Sequence, residues 1–321
     1  MPPRLQGDAV STTGLTKTFG DRTVVDHLDL SIPSGSVCGF VGPNGAGKTT
    51  TIRMLLGLIR PTEGEGTILG GDLHDPSSYL SRVGALIESP AFYPQLSGRD
   101  NLRALATLGQ IRPAVIAGVL ERVGLGERGG DRYQNFSLGM KQRLGIAAAL
   151  LAGPELLILD EPTNGLDPAG ILEMRELIRS LADDGITVFI SSHLLSEIEF
   201  ICEHLVMIRA GCSVFQGRVA DLRESQGAEV IARPERDDQC GELAVVLQAA
   251  GYLADIDEDQ KSVVVRCGSD RAADVNRVAM GAGLALTHLA VRERSLEEAF
   301  FALTGTHSRD VQHAATLGEI G

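Results

Sequence analysis

VCGFVGPNGAGKTTTIRMLLGLI, residues 37–59, opens as a short apolar run and passes through a glycine-rich turn. It then places Ile52, Leu55, Leu56 and Ile59 at i, i+3, i+4 and i+7, one face of a helix. The turn therefore joins a buried strand to a helix. GPNGAGKTT (42–50) fits GxxxxGK[ST] in the setting that motif requires. Its glycines let main-chain N–H groups converge on phosphate oxygens, and the helix that follows adds a dipole favouring an anion. Gly42, Pro43, Asn44, Gly45, Ala46, Gly47, Lys48, Thr49 and Thr50 are the candidate phosphate-binding residues. Lys48 reaches for the β- and γ-phosphates of a nucleoside triphosphate, and the Thr49 hydroxyl is a candidate Mg²⁺ ligand.

Downstream, LLILDE (156–161) is a second buried strand, ending in two carboxylates. Asp160 is placed to hold Mg²⁺ through water, and Glu161 to orient and polarise an attacking water. Ile171, Met174, Ile178 and Leu181 form a helical stripe, DDG (183–185) stops it, and ITVFI (186–190) is the next strand. Strands alternating with helices predict a doubly wound parallel α/β sheet. Residues 9–32 read as short strands and form an N-terminal β subdomain, since Leu28, Leu30 and Ile32 alternate with polar neighbours. LRALATL and AVIAGVLERVGL make residues 88–153 a helical insertion. Composition shifts near 220–228, and the elements that follow run β-α-β-β-α-β over 228–291, a small α+β ferredoxin-like unit. A last helix begins at SLEE, with Ser295 as N-cap and Glu298 reaching back. The expected organisation is a nucleotide-binding domain over 9–222, an accessory domain over 228–305 and a flexible tail over 306–321.

A formal net charge of −13 argues against nucleic-acid binding, which depends on Lys and Arg contacts to phosphate. Five cysteines, none in a CxxC pair, suit a reducing cytosol. The most apolar stretch, Leu144 to Gly153, is ten residues; a spanning helix needs about 20. MPPRLQGDAV carries no apolar signal-peptide core, so any membrane role is expected to run through a partner.

With these motifs assembled, residues 9–220 resemble an ATP-binding-cassette (ABC) transporter ATPase. FSLGMKQR (136–143) is similar to the family's LSGGQ-type signature: Ser137 and Gly139 keep its two key positions, while Leu138 and Met140 depart from it. Ser137 is also a natural N-cap that would open an anion site at a helix start. NGLDP (164–168) resembles the D-loop, with Asp167 crossing a dimer interface. SSH (191–193) supplies His193, similar to the switch histidine that contacts the γ-phosphate. Phe19 in KTFG matches an adenine-stacking aromatic, against the rival reading of a core phenylalanine. Glu88 in VGALIESPAFYP stands where the family has a glutamine whose oxygen touches Mg²⁺ and whose loop faces the membrane partner. A carboxylate keeps the metal contact and adds charge.

Glu88 together with FSLGMKQ resembles the bacitracin- and lantibiotic-type subgroup, and the C-terminal SLEEAFFALTG resembles daunorubicin-type antibiotic efflux ATPases. The resemblance implies two ATP bound with Mg²⁺ between paired subunits, as a homodimer or with another ATPase chain. One subunit would supply Lys48, Thr49, Glu88, Asp160, Glu161 and His193; the other would supply Ser137, Gly139 and Asp167. It also implies an integral membrane permease in trans and a cytoplasmic place on the inner face of the membrane. The rival is a soluble, non-transport ABC ATPase. Translation-type members carry two cassettes, whereas this chain has one phosphate loop. Chromosome-maintenance members place long heptad coiled coils between the motifs, whereas the stretch between Lys48 and Asp160 has no heptads. An RNA-binding reading of the C-terminal unit lacks stacking aromatics and meets DIDED (255–259), which repels phosphate.

Overall fold

The computed structural model describes residues 7–87, 91–293 and 295–304. Its first half begins with strands β1 (Asp8–Phe19), β2 (Arg22–Pro33) and β3 (Val37–Val41), helix α1 (Lys48–Leu55), and strands β4 (Glu63–Ile68), β5 (Gly71–Asp72) and β6 (Val83–Leu86). Helices α2 (Gly98–Leu108), α3 (Val115–Arg122) and α4 (Leu138–Leu150) follow. Then come β7 (Leu156–Asp160), α5 (Pro168–Asp183), β8 (Thr187–Ser192), α6 (Leu195–Ile198), β9 (His204–Arg209) and β10 (Cys212–Arg218).

One sheet has the order β10-β9-β3-β8-β7-β6. From β9 to β6 its strands run parallel, with β10 antiparallel at the edge. Parallel strands covered on both faces need continuous apolar runs rather than alternation. That is why all five residues of VCGFV and the four of LLIL are buried. A second, antiparallel sheet has the order β2-β1-β4-β5. The short strands expected over 9–32 are in fact two strands of 12 residues each. Register shifts between Thr12 and Leu15 and again before Lys17 let β1 bend without breaking, and at each shift the apolar alternation loses phase.

α1 is shorter than its apolar stripe. It ends at Leu55, and Gly57 takes φ +65°, with its N–H on the Met54 carbonyl and the Leu58 N–H on that of Arg53. These two bonds close a left-handed glycine cap, so Leu56 and Ile59 pack from the turn beyond the helix. In the helical insertion, Ser97 caps α2 by accepting the Asp100 N–H at 3.0 Å. α4 lies directly on β6: a Cβ on Gly84 would stand 2.3 Å from the Ala149 carbonyl oxygen, so only glycine allows the approach.

A second compact unit starts after Val219. It holds all but the first residue of α7 (Val219–Gln226), then β11 (Ala228–Pro234), α8 (Cys240–Ala249), β12 (Leu253–Asp257), β13 (Ser262–Arg266), α9 (Ala272–Gly281), β14 (Leu286–Glu293) and α10 (Leu296–Thr304). The sheet order β12-β13-β11-β14, antiparallel throughout, is the ferredoxin-like arrangement. Val230, Ala232, Leu243, Leu247, Val263 and Val275 form its own core. At α10 the Ser295 N–H donates to Glu298 Oε2 at 3.0 Å, and the Glu298 N–H to Ser295 Oγ at 3.2 Å, a reciprocal cap. Residues 305–321, which hold the expected tail, lie outside the described residues. Among the described residues no helix is long and apolar enough to cross a membrane.

Candidate nucleotide site

Because β3, β7 and β8 are parallel neighbours, their carboxyl ends share one edge, where open α/β sheets bind ligands. The glycine-rich loop leaves β3 at that edge. Gly47 takes φ +107°, and a Cβ there would lie 2.8 Å from the Val24 carbonyl oxygen. Lys48, only 6% exposed, curls back over the loop, its Nζ donating to the Gly42 carbonyl at 2.8 Å and that of Pro43 at 3.4 Å. Burial lowers the Lys48 pKa, while the nearby Glu161 and Asp160 carboxylates push it back up.

Thr49 Oγ1 donates to Asp160 Oδ2 at 2.9 Å. Glu161 sits between two partners: Oε1 lies 3.6 Å from Lys48 Nζ, and Oε2 lies 3.1 Å from His193 Nδ1. Its backbone takes φ +49°, a left-handed conformation that costs a side chain of this kind about 1–2 kcal/mol. Strain of this sort gathers where a side chain must be aimed. A cavity of about 120 Å³ beside it is lined by Glu161, Thr163, Leu166, Ser192 and His193 among others. Sequence reasoning singled out His193 in SSH and missed Ser191, whose hydroxyl donates to Asp160 Oδ1.

The donor set fits a nucleotide carrying its own metal. The first N–H groups of α1, which follows the glycine-rich loop directly, have no intrahelical acceptor. Thr49 and Asp160 are an oxygen pair suited to Mg²⁺, which is held by one or two protein oxygens plus phosphate and water rather than by a protein cage. Among the described residues no cluster of three or more His, Cys, Asp or Glu could form such a cage.

Ser137, Gly139 and Asp167 form a second group. Ser137 Oγ accepts the Met140 N–H at 3.3 Å and so caps α4, while Asp167 Oδ1 accepts the Gly170 N–H at 2.8 Å and caps α5. The two caps are neighbours: a Cβ on Gly165 would lie 3.1 Å from Leu138 Cδ2, and one on Gly139 would lie 3.7 Å from Leu166 Cδ2. Phe19 ends β1 half exposed, with Lys17 Nζ 5.0 Å from its ring centroid, so it is a surface aromatic rather than a core one. Glu88 lies outside the described residues. Just beyond it, an open groove of about 690 Å³ is lined by Phe92, Tyr93, Ala104, Leu105 and Leu108 among others, with Tyr93 and Leu108 largely exposed.

Residues 25–164 match the family model described as ABC transporter. The chain is 42% identical over 301 residues to the bacitracin transport ATP-binding protein BcrA of Bacillus licheniformis, covering 92% of this chain and 97% of that one. It is 41% identical over 215 residues to the lantibiotic transport ATP-binding protein SrtF of Streptococcus pyogenes, covering 67% of this chain and 90% of that one. A solved structure of an ATP-binding subunit of an ABC transporter aligns with a TM-score of 0.60 at 29% identity, over 68% of this chain and 92% of that chain. The chain thus belongs to the ABC transporter family as an ATP-binding, ATP-hydrolysing subunit, and the edge where Lys48, Thr49, Asp160, Glu161 and His193 meet is its candidate nucleotide site.

Proposed function

We propose that the chain is half of a two-subunit motor for a membrane exporter of an antibiotic, drug or lipid-like compound. The carrying observation is the division of its candidate residues into two groups. Lys48, Thr49, Asp160, Glu161 and His193 are joined by contacts at the sheet edge, whereas Ser137 and Asp167 each cap the start of a helix. A helix start capped by a small polar side chain is an anion site waiting for a ligand. Two copies facing each other would bring the Ser137 and Gly139 helix start of one onto the phosphates held by the other, with Asp167 at the seam. A different ATPase chain could take the second place in the pair.

Within one site, residues 42–47 and Lys48 hold the phosphates, and Phe19 offers a face for the adenine. Thr49 and Asp160 would hold Mg²⁺, which when bound neutralises phosphate charge. Glu161 orients the attacking water, and His193 steadies the Glu161 carboxylate while facing the γ-phosphate. The reaction then needs positioning and charge stabilisation rather than a covalent intermediate. Glu88 is proposed as a further oxygen ligand that reports the site to the permease. The apolar groove beside Phe92 and Leu108 is the proposed seat of that permease, which would hold the chain on the cytoplasmic side of the membrane. The similarity to bacitracin and lantibiotic transport proteins favours a peptide antibiotic as cargo.

Glu161→Gln is expected to lower turnover by 100-fold or more, of the order lost with a general base, while ATP binding persists. With ATP and Mg²⁺ it should elute as a dimer on size exclusion. A variant that stays monomeric and keeps wild-type turnover overturns both the dimer and the role of Glu161.

A further inference from the structure

β7 and β8 pair in parallel with Asp160 opposite Ser191, which puts both side chains on one face of the sheet at its carboxyl edge. Ser191 is fully buried. Its hydroxyl donates to Asp160 Oδ1, and the other carboxylate oxygen is taken by Thr49 at 2.9 Å. The same hydroxyl accepts the Glu161 N–H at 3.0 Å, and the Ser191 carbonyl shares that N–H at 3.2 Å. One side chain thus touches both carboxylates of the site, Asp160 through its oxygen and Glu161 through its backbone.

We propose that Ser191 is a positioning residue for ATP hydrolysis, setting the direction of Glu161 and the rotation of Asp160 with a single hydroxyl. The proposal rests on the reading of Glu161 as the water-orienting carboxylate. Only a group that donates and accepts at one atom can serve a carboxylate and an N–H together, and a hydroxyl is the smallest such group. Ser191 is itself buried, so the two groups that share its hydroxyl depend on a partner held in one place by the strand. Glu161 at φ +49° has no intrinsic preference for its conformation, so its anchored N–H fixes the turn. From that turn the carboxylate lands between Lys48 at 3.6 Å and His193 at 3.1 Å. Without the hydroxyl, the N–H keeps one acceptor instead of two and Asp160 loses one of its two donors.

Thr and Val have nearly the same shape, so the pair Ser191→Thr and Ser191→Val isolates the hydroxyl from the volume; Ser191→Ala is the third variant should added bulk disturb the fold. Ser191→Val and Ser191→Ala are expected to lower kcat by about 10- to 100-fold, the range for groups that support a reacting residue. The ATP Kd measured by calorimetry without Mg²⁺ should stay within about threefold, because the loss falls on kcat and not on ground-state binding. Ser191→Thr should restore most of the turnover, and a crystal structure of Ser191→Val should show Glu161 released from its positive φ. Equal loss in the Thr and Val variants, or wild-type kcat in both Val and Ala, overturns the proposal. Glu161→Gln measured alongside separates the two readings. If it turns over normally, the role of Glu161 fails; if it is inactive while Ser191→Val is not, only the role of Ser191 fails.

Discussion

Gly47 stands at φ +107°, and an added Cβ would lie 2.8 Å from the Val24 carbonyl oxygen. Gly47→Ala must therefore strain its own backbone and also push β2 away. The cost is expected to be about 1–3 kcal/mol, which lowers the melting temperature. Affinity for ATP should fall at least tenfold, as a titration with a fluorescent nucleotide would read; unchanged melting and binding would remove the steric argument. This residue is legible in sequence because a single local turn dictates it. Lys48, Thr49, Asp160 and Glu161 are legible for the same reason, each standing at the end of a strand or the start of a helix whose apolar pattern is plain. Ser191 is not, because its meaning depends on which residue of β7 it faces, and register between strands is written nowhere in the spacing. Phe19 was legible as an aromatic of interest, but whether it pointed inward or outward was settled by its place at the end of a hairpin strand.

At the scale of elements, β6 and β7 are joined at their amino ends by a fork. Arg82 Nε and Nη2 donate to the two oxygens of Glu155 at 2.6 and 2.7 Å, and Arg82 Nη1 donates to the Leu69 carbonyl at 2.9 Å. The Arg82 guanidinium holds the Glu155 pKa below its ordinary value. A carboxylate with a depressed folded pKa stabilises the fold above its unfolded value, about 4.3, and loses that contribution as the pH falls through the lower folded value. Both side chains are at least a third exposed, so water screens the pair and its worth is about 0.5–1 kcal/mol. Thermal melts of wild type and Glu155→Gln should differ at pH 7 and converge as the pH falls through the lowered folded value; a gap that persists once the carboxyl is protonated would mean the fork acts by shape alone. Most elements were legible from their apolar periods. The long β1 and β2 were not, because their bulges shift the alternation, and the end of α1 was hidden because Leu56 and Ile59 continue its stripe after Gly57 has closed the helix.

At the scale of the whole molecule, every residue of the loop-and-strand cluster precedes the break after Val219. The second unit has a hydrophobic core of its own. A chain ending at Leu222 is accordingly expected to bind ATP as tightly as the full chain, measured by calorimetry. Lost binding in a truncation that keeps its circular dichroism would show that the nucleotide site needs the second unit. The order β-α-β-β-α-β was legible here because each short element carries its own apolar pattern, whereas the identity of a docking partner leaves no such period in the sequence. Glycine 84 bears on how such a partner would be felt. With no side chain at Gly84, strand and helix approach backbone to backbone there, and close-packed matter of that kind hardly compresses. α4 is a stiff rod about 20 Å long with Ser137 at its far end. In mechanical terms the contact at Gly84 is a joint with little slack: a displacement of β6 there would have to be taken up by α4, whose other end carries Ser137.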